Sequence, residues 1–212
     1  MPTDTRRYSS ELREQQAAQT RQRIVEAAVV RFGQNGYERT TLAEIAAEAK
    51  VSVETVRAHG PKSALVLAAV ECVSYDHEVQ PFIESELGQG YLAQTDPESY
   101  LDHAVRVSLE INKLSFGAYA ALASAAAGDP ELDRALTARL ALAREEIDQL
   151  VGICIDRGWA RTDLPRDELV ASVWVLVMPE TYERLVHRAG FDDERYLAWL
   201  RRSLAETIRP RG

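Results

Sequence analysis

The chain has 212 residues, of which 46% are hydrophobic and 27% charged, as in an ordinary globular protein. No apolar run approaches the roughly 20 residues that a membrane-spanning helix needs, and the first twenty residues lack the apolar stretch of a secretory signal. The net charge of −8 is uneven, because residues 1–62 hold 10 Lys and Arg against 8 Asp and Glu. We therefore predict a cytoplasmic protein that does not engage a membrane, with an N-terminal end that can still approach DNA phosphates.

Motifs of catalysis and metal binding are missing from the sequence. It contains no P-loop, no dinucleotide fingerprint, no GxSxG and no HExxH, and its four histidines and two cysteines have no ligand spacing. A helical enzyme is therefore a poor interpretation. We predict no catalytic residue, no metal and no cofactor.

Helical periodicity dominates the chain, and sustained strand alternation is nearly absent. The first helix is predicted from about Ala17 to Asn35, with Ile24 and Phe32 on its apolar face. Gly36 suits the left-handed residue that follows a helix end, and Tyr37 would then pack back on Phe32. The pattern predicts an all-α fold that opens with a long helix and a well-defined stop.

Two short helices follow this stop. Thr41 and Glu44 have the spacing of a capping box at the start of the second helix. After a turn at Lys50, Ser52 is predicted to cap a third helix over residues 53–59. Two short helices joined by a tight turn and braced by a longer one are typical of a helix-turn-helix, whose second member enters a DNA major groove.

The remaining chain is predicted to form a helical bundle. Helices are expected over about 61–78, from Asp96-Pro97, from Asp129-Pro130, over about 166–188 and over about 193–208. Pro179 should kink the helix that contains it, because proline lacks a backbone donor and clashes with the preceding turn. We predict two domains: an N-terminal arm with the helix-turn-helix over residues 1–62, and the bundle over residues 63–212.

One stretch resembles a known family. The segment RIVEAAVVRFGQNGYERTTLAEIAAEAKVSVETVRAH, Arg23 to His59, followed by PKSALVLAAV, is similar to the DNA-binding region of the TetR-type regulators. The resemblance implies an all-α protein with a three-helix DNA-binding domain followed by a ligand-binding and dimerisation bundle. It also implies a homodimeric repressor that a small, largely apolar effector releases from a pseudo-palindromic double-stranded DNA operator. The last two thirds of the chain resemble the family only in their helices.

The resemblance and the capping pattern together name candidate DNA contacts. Thr40 and Thr41 could hold a phosphate at a helix N-terminus, and Arg57 could pair with guanine or phosphate. Val53 could contact a thymine methyl group, and Glu54 could accept from cytosine or repel wrong partners. The full predicted set is Thr40, Thr41, Ser52, Val53, Glu54, Thr55, Arg57, His59 and Lys62.

Three departures from the family pattern bear on this prediction. Lys50 replaces the usual turn glycine, Arg57 replaces the usual tyrosine, and the usual aromatic after His59 is missing. They leave open an alternative: a helical small-molecule-binding protein of regulator ancestry that no longer binds specific DNA. Upstream, Arg6, Arg7 and Arg13 could form a minor-groove arm or belong to a disordered tail.

The bundle supplies candidates for a ligand pocket and a dimer interface. The aromatic residues near Pro179 suggest a pocket lined by Phe116, Tyr119, Trp174, Met178 and Tyr182, although plain core is the ordinary role of such residues. In the family, the last two helices pair in a four-helix interface. The corresponding prediction is an interface of Leu197, Leu200, Leu204 and Ile208, with burial inside the protomer as the alternative.

Overall fold

The structure, a computed structural model, describes residues 4–73 and 82–210, and side chains from residue 15 onward in the first of these ranges. The described residues form helices and no strand, which confirms the all-α prediction. The helices are α1 (Asp4–Arg39), α2 (Leu42–Ala49), α3 (Val53–Ala58), α4 (Lys62–Val73), α5 (Glu86–Leu92), α6 (Pro97–Ala126), α7 (Pro130–Asp156), α8 (Arg166–Val177), α9 (Pro179–Tyr182) and α10 (Asp193–Ile208).

Helix α1 is longer than predicted. It begins at Asp4, so the backbone expected to be an arm or tail is part of the helix, whereas the side chains of Arg6, Arg7 and Arg13 lie outside the described residues. Gly36 interrupts the helix with φ 71°, as the stop signal predicts. The Tyr37 ring stacks on Phe32 with ring centroids 5.9 Å apart.

The N-terminal core joins four helices to the C-terminal half of α6 and the start of α7. Side chains of α1, α2, α3 and α4 pack with the C-terminal half of α6, and the buried members include Ile24, Phe32, Ile45, Val56, Val66, Ala118 and Leu122. Helix α4 follows the domain boundary predicted after Lys62, but its side chains fill part of the N-terminal core.

The C-terminal bundle is built on α6 and α7. Asp96 and Asp129 cap these two helices and Pro97 and Pro130 occupy their first positions, as predicted. Helices α8 and α10 pack on them around a second core that includes Leu109, Val151, Leu169, Tyr196 and Leu200. A 3-10 turn at Phe82–Glu84 and helix α5 were not anticipated from the sequence. The predicted end of the fourth helix near Glu78 lies outside the described residues.

Pro179 breaks its helix instead of kinking it. Met178 adopts φ −70° and ψ 153°, an extended conformation that the residue before a proline favours. The Asn112 side chain, 1% exposed, donates a hydrogen bond of 3.0 Å to the Val177 carbonyl next to the break. Beyond Tyr182 the chain continues as a π-helical segment, Glu183–Arg188.

Helices α1 and α6 cross at two glycines. A Cβ atom built on Gly117 would lie 2.4 Å from the Cα of Gly33, so no larger residue fits there at the present separation. This crossing brings the N-terminal helices against the middle of the bundle. Within the described residues no helix combines the length and apolar character of a membrane span.

Candidate functional site

The outer face of α3 is defined by its capping. The Ser52 hydroxyl accepts a hydrogen bond of 3.1 Å from the Thr55 backbone N–H and lies 3.0 Å from the Thr55 hydroxyl. Val56 is fully buried on the inner side and anchors α3 in the N-terminal core. Glu54 and Arg57 are exposed. A six-residue helix is thus held at its start and on one side, and its charged side chains project to solvent.

Arg57 extends into solvent. Its guanidinium lies 4.0 Å from the Glu54 carboxylate, and the two side chains are 66% and 79% exposed. Water screens such an exposed pair, so little energy opposes its opening. Hydrogen bonds from the Glu54 backbone N–H and the Ser52 hydroxyl hold the pKa of the Glu54 carboxyl below its ordinary value. The resulting carboxylate disfavours a phosphate and suits a base-edge donor such as the cytosine amino group.

Val53 contributes less to this outer face than predicted. It is half-buried and packs against the N-terminal core. Only part of its side chain remains available for a thymine methyl group.

Lys50 adopts the conformation that the family usually assigns to glycine. Its φ of 56° and ψ of 46° place it in the left-handed region, and its backbone N–H points to the Ala46 and Ala47 carbonyls at the end of α2. A residue with a Cβ atom is strained in this conformation. The turn between α2 and α3 therefore forms despite backbone strain at Lys50.

We expect Lys50→Gly to raise the free energy of unfolding by about 0.5–1 kcal/mol, because relief of the left-handed strain outweighs the entropy that glycine adds to the unfolded chain. Urea denaturation monitored by circular dichroism measures the change. Lys50→Ala is the matched control, since it removes the exposed side chain and keeps the Cβ atom. Equal stability of both variants would contradict strain at this residue.

Thr40 has a different role from the predicted one. It is 1% exposed, and its hydroxyl lies 2.7 Å from the Gly36 carbonyl and 3.1 Å from the Arg31 carbonyl. The hydroxyl donates to these carbonyls at the end of α1, where backbone acceptors lose their helical partners. Thr40 therefore holds the end of α1 in place and does not present its hydroxyl to a phosphate.

Thr41 stands exposed at the start of α2 in the predicted capping box. Its hydroxyl accepts from the Glu44 N–H at 3.2 Å, and its own N–H donates to the Glu44 carboxylate at 2.8 Å. The Thr41 hydroxyl also donates to the Glu44 carboxylate at 2.9 Å, and the hydrogen bonds from the Thr41 N–H and hydroxyl hold the pKa of the Glu44 carboxyl below its ordinary value. A phosphate at this helix start would meet a carboxylate that already uses two local donors.

His59 and Lys62 are both engaged with the protein. The His59 Nδ1 lies 2.8 Å from the Thr55 carbonyl, so this nitrogen carries the proton and Nε2 remains for another partner. The Lys62 ammonium donates to the Tyr37 carbonyl at 2.9 Å and lies 4.3 Å above the Tyr37 ring. Lys62 thus ties α4 to the end of α1, which differs from the free phosphate contact predicted for it.

A cavity of about 460 Å³ lies between α6 and α7. Helices α4, α5, α8 and α10 complete its wall, whose apolar members include Val70, Leu101, Ile147, Val151, Val173 and Leu204. Ile111 and Leu114, 40% and 65% exposed, lie at its edge. The volume is within the usual range of small-molecule sites, about 300–1,000 Å³.

The predicted pocket residues divide into two groups. Tyr119 and Met178 line the cavity. Phe116 and Tyr182 instead form an aromatic cluster with His187, with ring centroids 4.6–6.1 Å apart. Trp174 packs against the C-terminal core outside the cavity wall. Phe116, Trp174 and Tyr182 are therefore aromatic residues of the core, as their helical spacing alone would suggest.

Sequence reasoning missed two charged residues of the cavity, Arg139 and Glu146. They are seven residues apart on α7 and hence share a face with apolar wall residues. Burial raises the pKa of the Glu146 carboxyl to about 7, and nearby Arg139 counters only part of this effect. Charged residues on an otherwise apolar helix face were the available signal.

The predicted dimer-interface residues lie largely inside the protomer. Leu200, Leu204 and Ile208 are 0%, 2% and 7% exposed, because α10 directs them at the bundle, and Leu204 and Ile208 also line the cavity. Leu197 is half-buried against the same core. On neighbouring α8, Val175 is 58% exposed. A surface that joins two copies at these helices must therefore use side chains other than Leu200, Leu204 and Ile208.

Comparison with known proteins adds to this geometry. Residues 24–69 match the family described as bacterial regulatory proteins, tetR family. No protein with a curated function matches the sequence significantly.

Solved structures match over most of the chain. A SmeT–triclosan complex is 21% identical (91% of this chain, 93% of that chain, TM-score 0.67). NalD, the secondary repressor of the MexAB-OprM multidrug efflux pump in Pseudomonas aeruginosa, is 19% identical (92% and 98%, TM-score 0.63). A Mesorhizobium loti MAFF303099 protein assigned to the TetR-family transcriptional regulators is 20% identical (90% and 94%, TM-score 0.64). At these identities the matches show a shared fold.

The N-terminal match covers α2, α3 and most of α4, and the shared fold extends through the bundle. Residues 24–69 thus match the N-terminal region of the tetR family of bacterial regulatory proteins, and the whole chain shares the fold of solved TetR-family regulators.

Proposed function

We propose that the chain is a DNA-binding transcriptional repressor of the cytoplasm that leaves a double-stranded DNA operator when a small molecule occupies its cavity. The observation that carries the DNA-binding part is α3. Ser52 caps this helix, buried Val56 anchors it, and Arg57 projects from it into solvent. An exposed arginine on a fixed recognition helix suits the acceptor edge of guanine in a major groove.

Two copies of the chain would act together. Val175 on α8 is a large, exposed apolar side chain, and half-buried Leu197 and Trp199 lie on α10, which packs against α8. Pairing of these helices about a two-fold axis would place two recognition helices about 34–36 Å apart on a pseudo-palindromic operator. NalD, which has the same fold, is named as a repressor.

The cavity has contacts through which its occupant can influence the DNA-binding helices. Val70 on α4 belongs to the N-terminal core and also lines the cavity. Helix α6 lines the cavity and crosses α1 at Gly117 and Gly33. A ligand that fits better when α4 and α6 are displaced would lower the population of the DNA-binding arrangement. The triclosan complex of SmeT is a small-molecule complex of the same fold.

The direct test is binding of the purified protein to labelled DNA from its own promoter region. We expect symmetric protection of two half-sites, and Arg57→Ala should weaken binding at least about tenfold, because a bidentate arginine–guanine contact discriminates by 1–3 kcal/mol. Arg144→Ala, an exposed arginine of α7, is the matched control and should leave binding unchanged. Binding that is indifferent to sequence and to Arg57 would argue against the proposal.

A second candidate is a small-molecule-binding relative that no longer recognises a specific operator. It is favoured by the internal engagement of Thr40 and Lys62 and by the carboxylate of Glu54 on α3. This candidate expects no sequence-specific protection by any fragment of a genomic library. Stabilisation by a cavity ligand would be retained.

A further inference from the structure

We propose that the cavity binds an elongated apolar molecule with one anionic, oxygen-bearing head group, and that Tyr119 and Arg139 hold this head group. The inference names the ligand class of the cavity that the proposed function uses. The expected binding is argued from the cavity wall alone, whereas any effect of the ligand on DNA binding rests on the proposed function.

The Tyr119 hydroxyl is a donor without an acceptor. The residue is 7% exposed and lines the cavity, and the hydroxyl is buried with no hydrogen-bond partner among the described residues. Buried hydroxyl groups are nearly always hydrogen-bonded, since an unsatisfied one loses its interactions with water. A ligand oxygen at this end of the cavity would satisfy it.

Arg139 is a cation of the same cavity wall. It is half-buried, and no described carboxylate lies within 4.0 Å of its guanidinium. Its charge acts on the Tyr119 hydroxyl, whose pKa it lowers against the larger effect of burial. Since the guanidinium fork matches a carboxylate in geometry and charge, Arg139 and Tyr119 together present donors to one anionic group.

Two carboxyl groups nearby do not make this a cation site. Glu146 lines the cavity two turns further along the same face of α7, where burial raises its pKa to about 7, so a large fraction is protonated at neutral pH. Glu180 also acts on Tyr119 but is exposed to solvent, which screens its charge. Among the described cavity residues, Arg139 therefore remains a cation with no carboxylate within 4.0 Å, beside the Tyr119 hydroxyl.

The rest of the cavity suits a long apolar tail. The wall residues of α7 extend from Arg139 to Cys154, about 22 Å at a helix rise of 1.5 Å per residue. Beyond Glu146 this wall consists of Ile147, Leu150, Val151 and Cys154, and Leu204 and Ile208 of α10 face the same space. The polar end and the apolar end are therefore separated along the helix axis.

The head-group end lies next to the DNA-binding domain. Tyr119 is two residues from Gly117, which contacts Gly33 of α1, and neighbouring Ala118 belongs to the N-terminal core. A head group bound by Tyr119 would act on the segment of α6 that supports α1. The tail would supply affinity, and the head group would act where the two domains meet.

The test compares three probes of equal chain length: dodecanoate, dodecanol and dodecyltrimethylammonium, each below its micelle concentration. Binding to the full chain is measured by isothermal titration calorimetry. We expect dodecanoate to bind at least about tenfold more tightly than dodecanol, because charge-assisted hydrogen bonds are about twice as strong as neutral ones. Equal or tighter binding of the ammonium probe, or no binding of dodecanoate, would overturn the proposal.

Two variants assign the head group to its residues. Arg139→Gln should weaken dodecanoate binding about tenfold and Tyr119→Phe about fivefold, with little change for dodecanol. Arg144→Gln, on the exposed side of the same helix, should change neither affinity. Circular dichroism verifies that the variants fold. Unchanged dodecanoate affinity in both folded variants would overturn the assignment.

Measuring dodecanoate binding and DNA binding on the same protein distinguishes failure of this inference from failure of the proposed function. If dodecanoate binds as expected and operator DNA is not released, the inference stands and the ligand-controlled part of the proposed function fails. If specific DNA is bound and dodecanoate is not, the inference fails and DNA binding stands.

Discussion

Leu200→Ala should lower the free energy of unfolding by about 3 kcal/mol, within the 2–5 kcal/mol typical of buried leucines. Leu200 is 0% exposed in the C-terminal core, where α10 meets α6 and α8. Removing its isopropyl group leaves a cavity that the surrounding helices fill only in part. Thermal and urea denaturation of the purified variant measure the loss.

The dependence on protein concentration makes this experiment decisive. Substitution of a residue in the protomer core should lower the free energy of unfolding by the same amount at every protein concentration. Substitution of a residue in a dimer interface should lower it more at concentrations where the dimer forms. Val175→Ser, at an exposed residue of α8 that the proposed pairing would cover, is the comparison: it should change the stability of the separate protomer little, and any loss should depend on protein concentration. A concentration-dependent loss in Leu200→Ala would restore the interface predicted from the sequence.

Gly117→Ala should lower the free energy of unfolding by about 2 kcal/mol, although alanine is intrinsically the better helix residue by up to about 1 kcal/mol. The new Cβ atom would stand 2.4 Å from the backbone of Gly33, which cannot rotate away as a side chain can. Helices α1 and α6 must therefore separate. Loss of this packing should also weaken the effect of a cavity ligand on DNA binding.

The opposite glycine provides the control. A Cβ atom on Gly33 would lie 3.8 Å from the Gly117 Cα, an ordinary contact, so Gly33→Ala should be neutral or stabilising by up to about 1 kcal/mol. Denaturant unfolding of the two variants under the same conditions compares them. Similar behaviour of both would show that the crossing tolerates a wider separation than the structure indicates.

Local signals predicted most of the helix boundaries. The caps at Thr41, Ser52, Asp96 and Asp129 and the stop at Gly36 each depend on residues within four positions along the chain. Such short-range hydrogen bonds and backbone preferences are encoded where they act. The all-α fold and the position of α3 could therefore be predicted from the sequence.

The roles of individual side chains depended on distant partners. Lys62 meets the Tyr37 carbonyl, and Arg139 and Tyr119 converge on one cavity from two helices. A residue pattern records that a side chain is apolar or charged; it does not record which neighbours will surround it.

The last helix illustrates the division between the two kinds of information. Its apolar periodicity determined that α10 would bury one face, but a buried face has the same pattern whether the cover is the same chain or a second copy. In the structure, α10 packs on α6 and α8, so Leu200 and Leu204 are buried within the protomer. The amino-acid sequence by itself determined which side chains are buried. The tertiary structure decided which neighbours bury them, because the hydrophobic effect has no preferred direction, whereas packing requires particular partners.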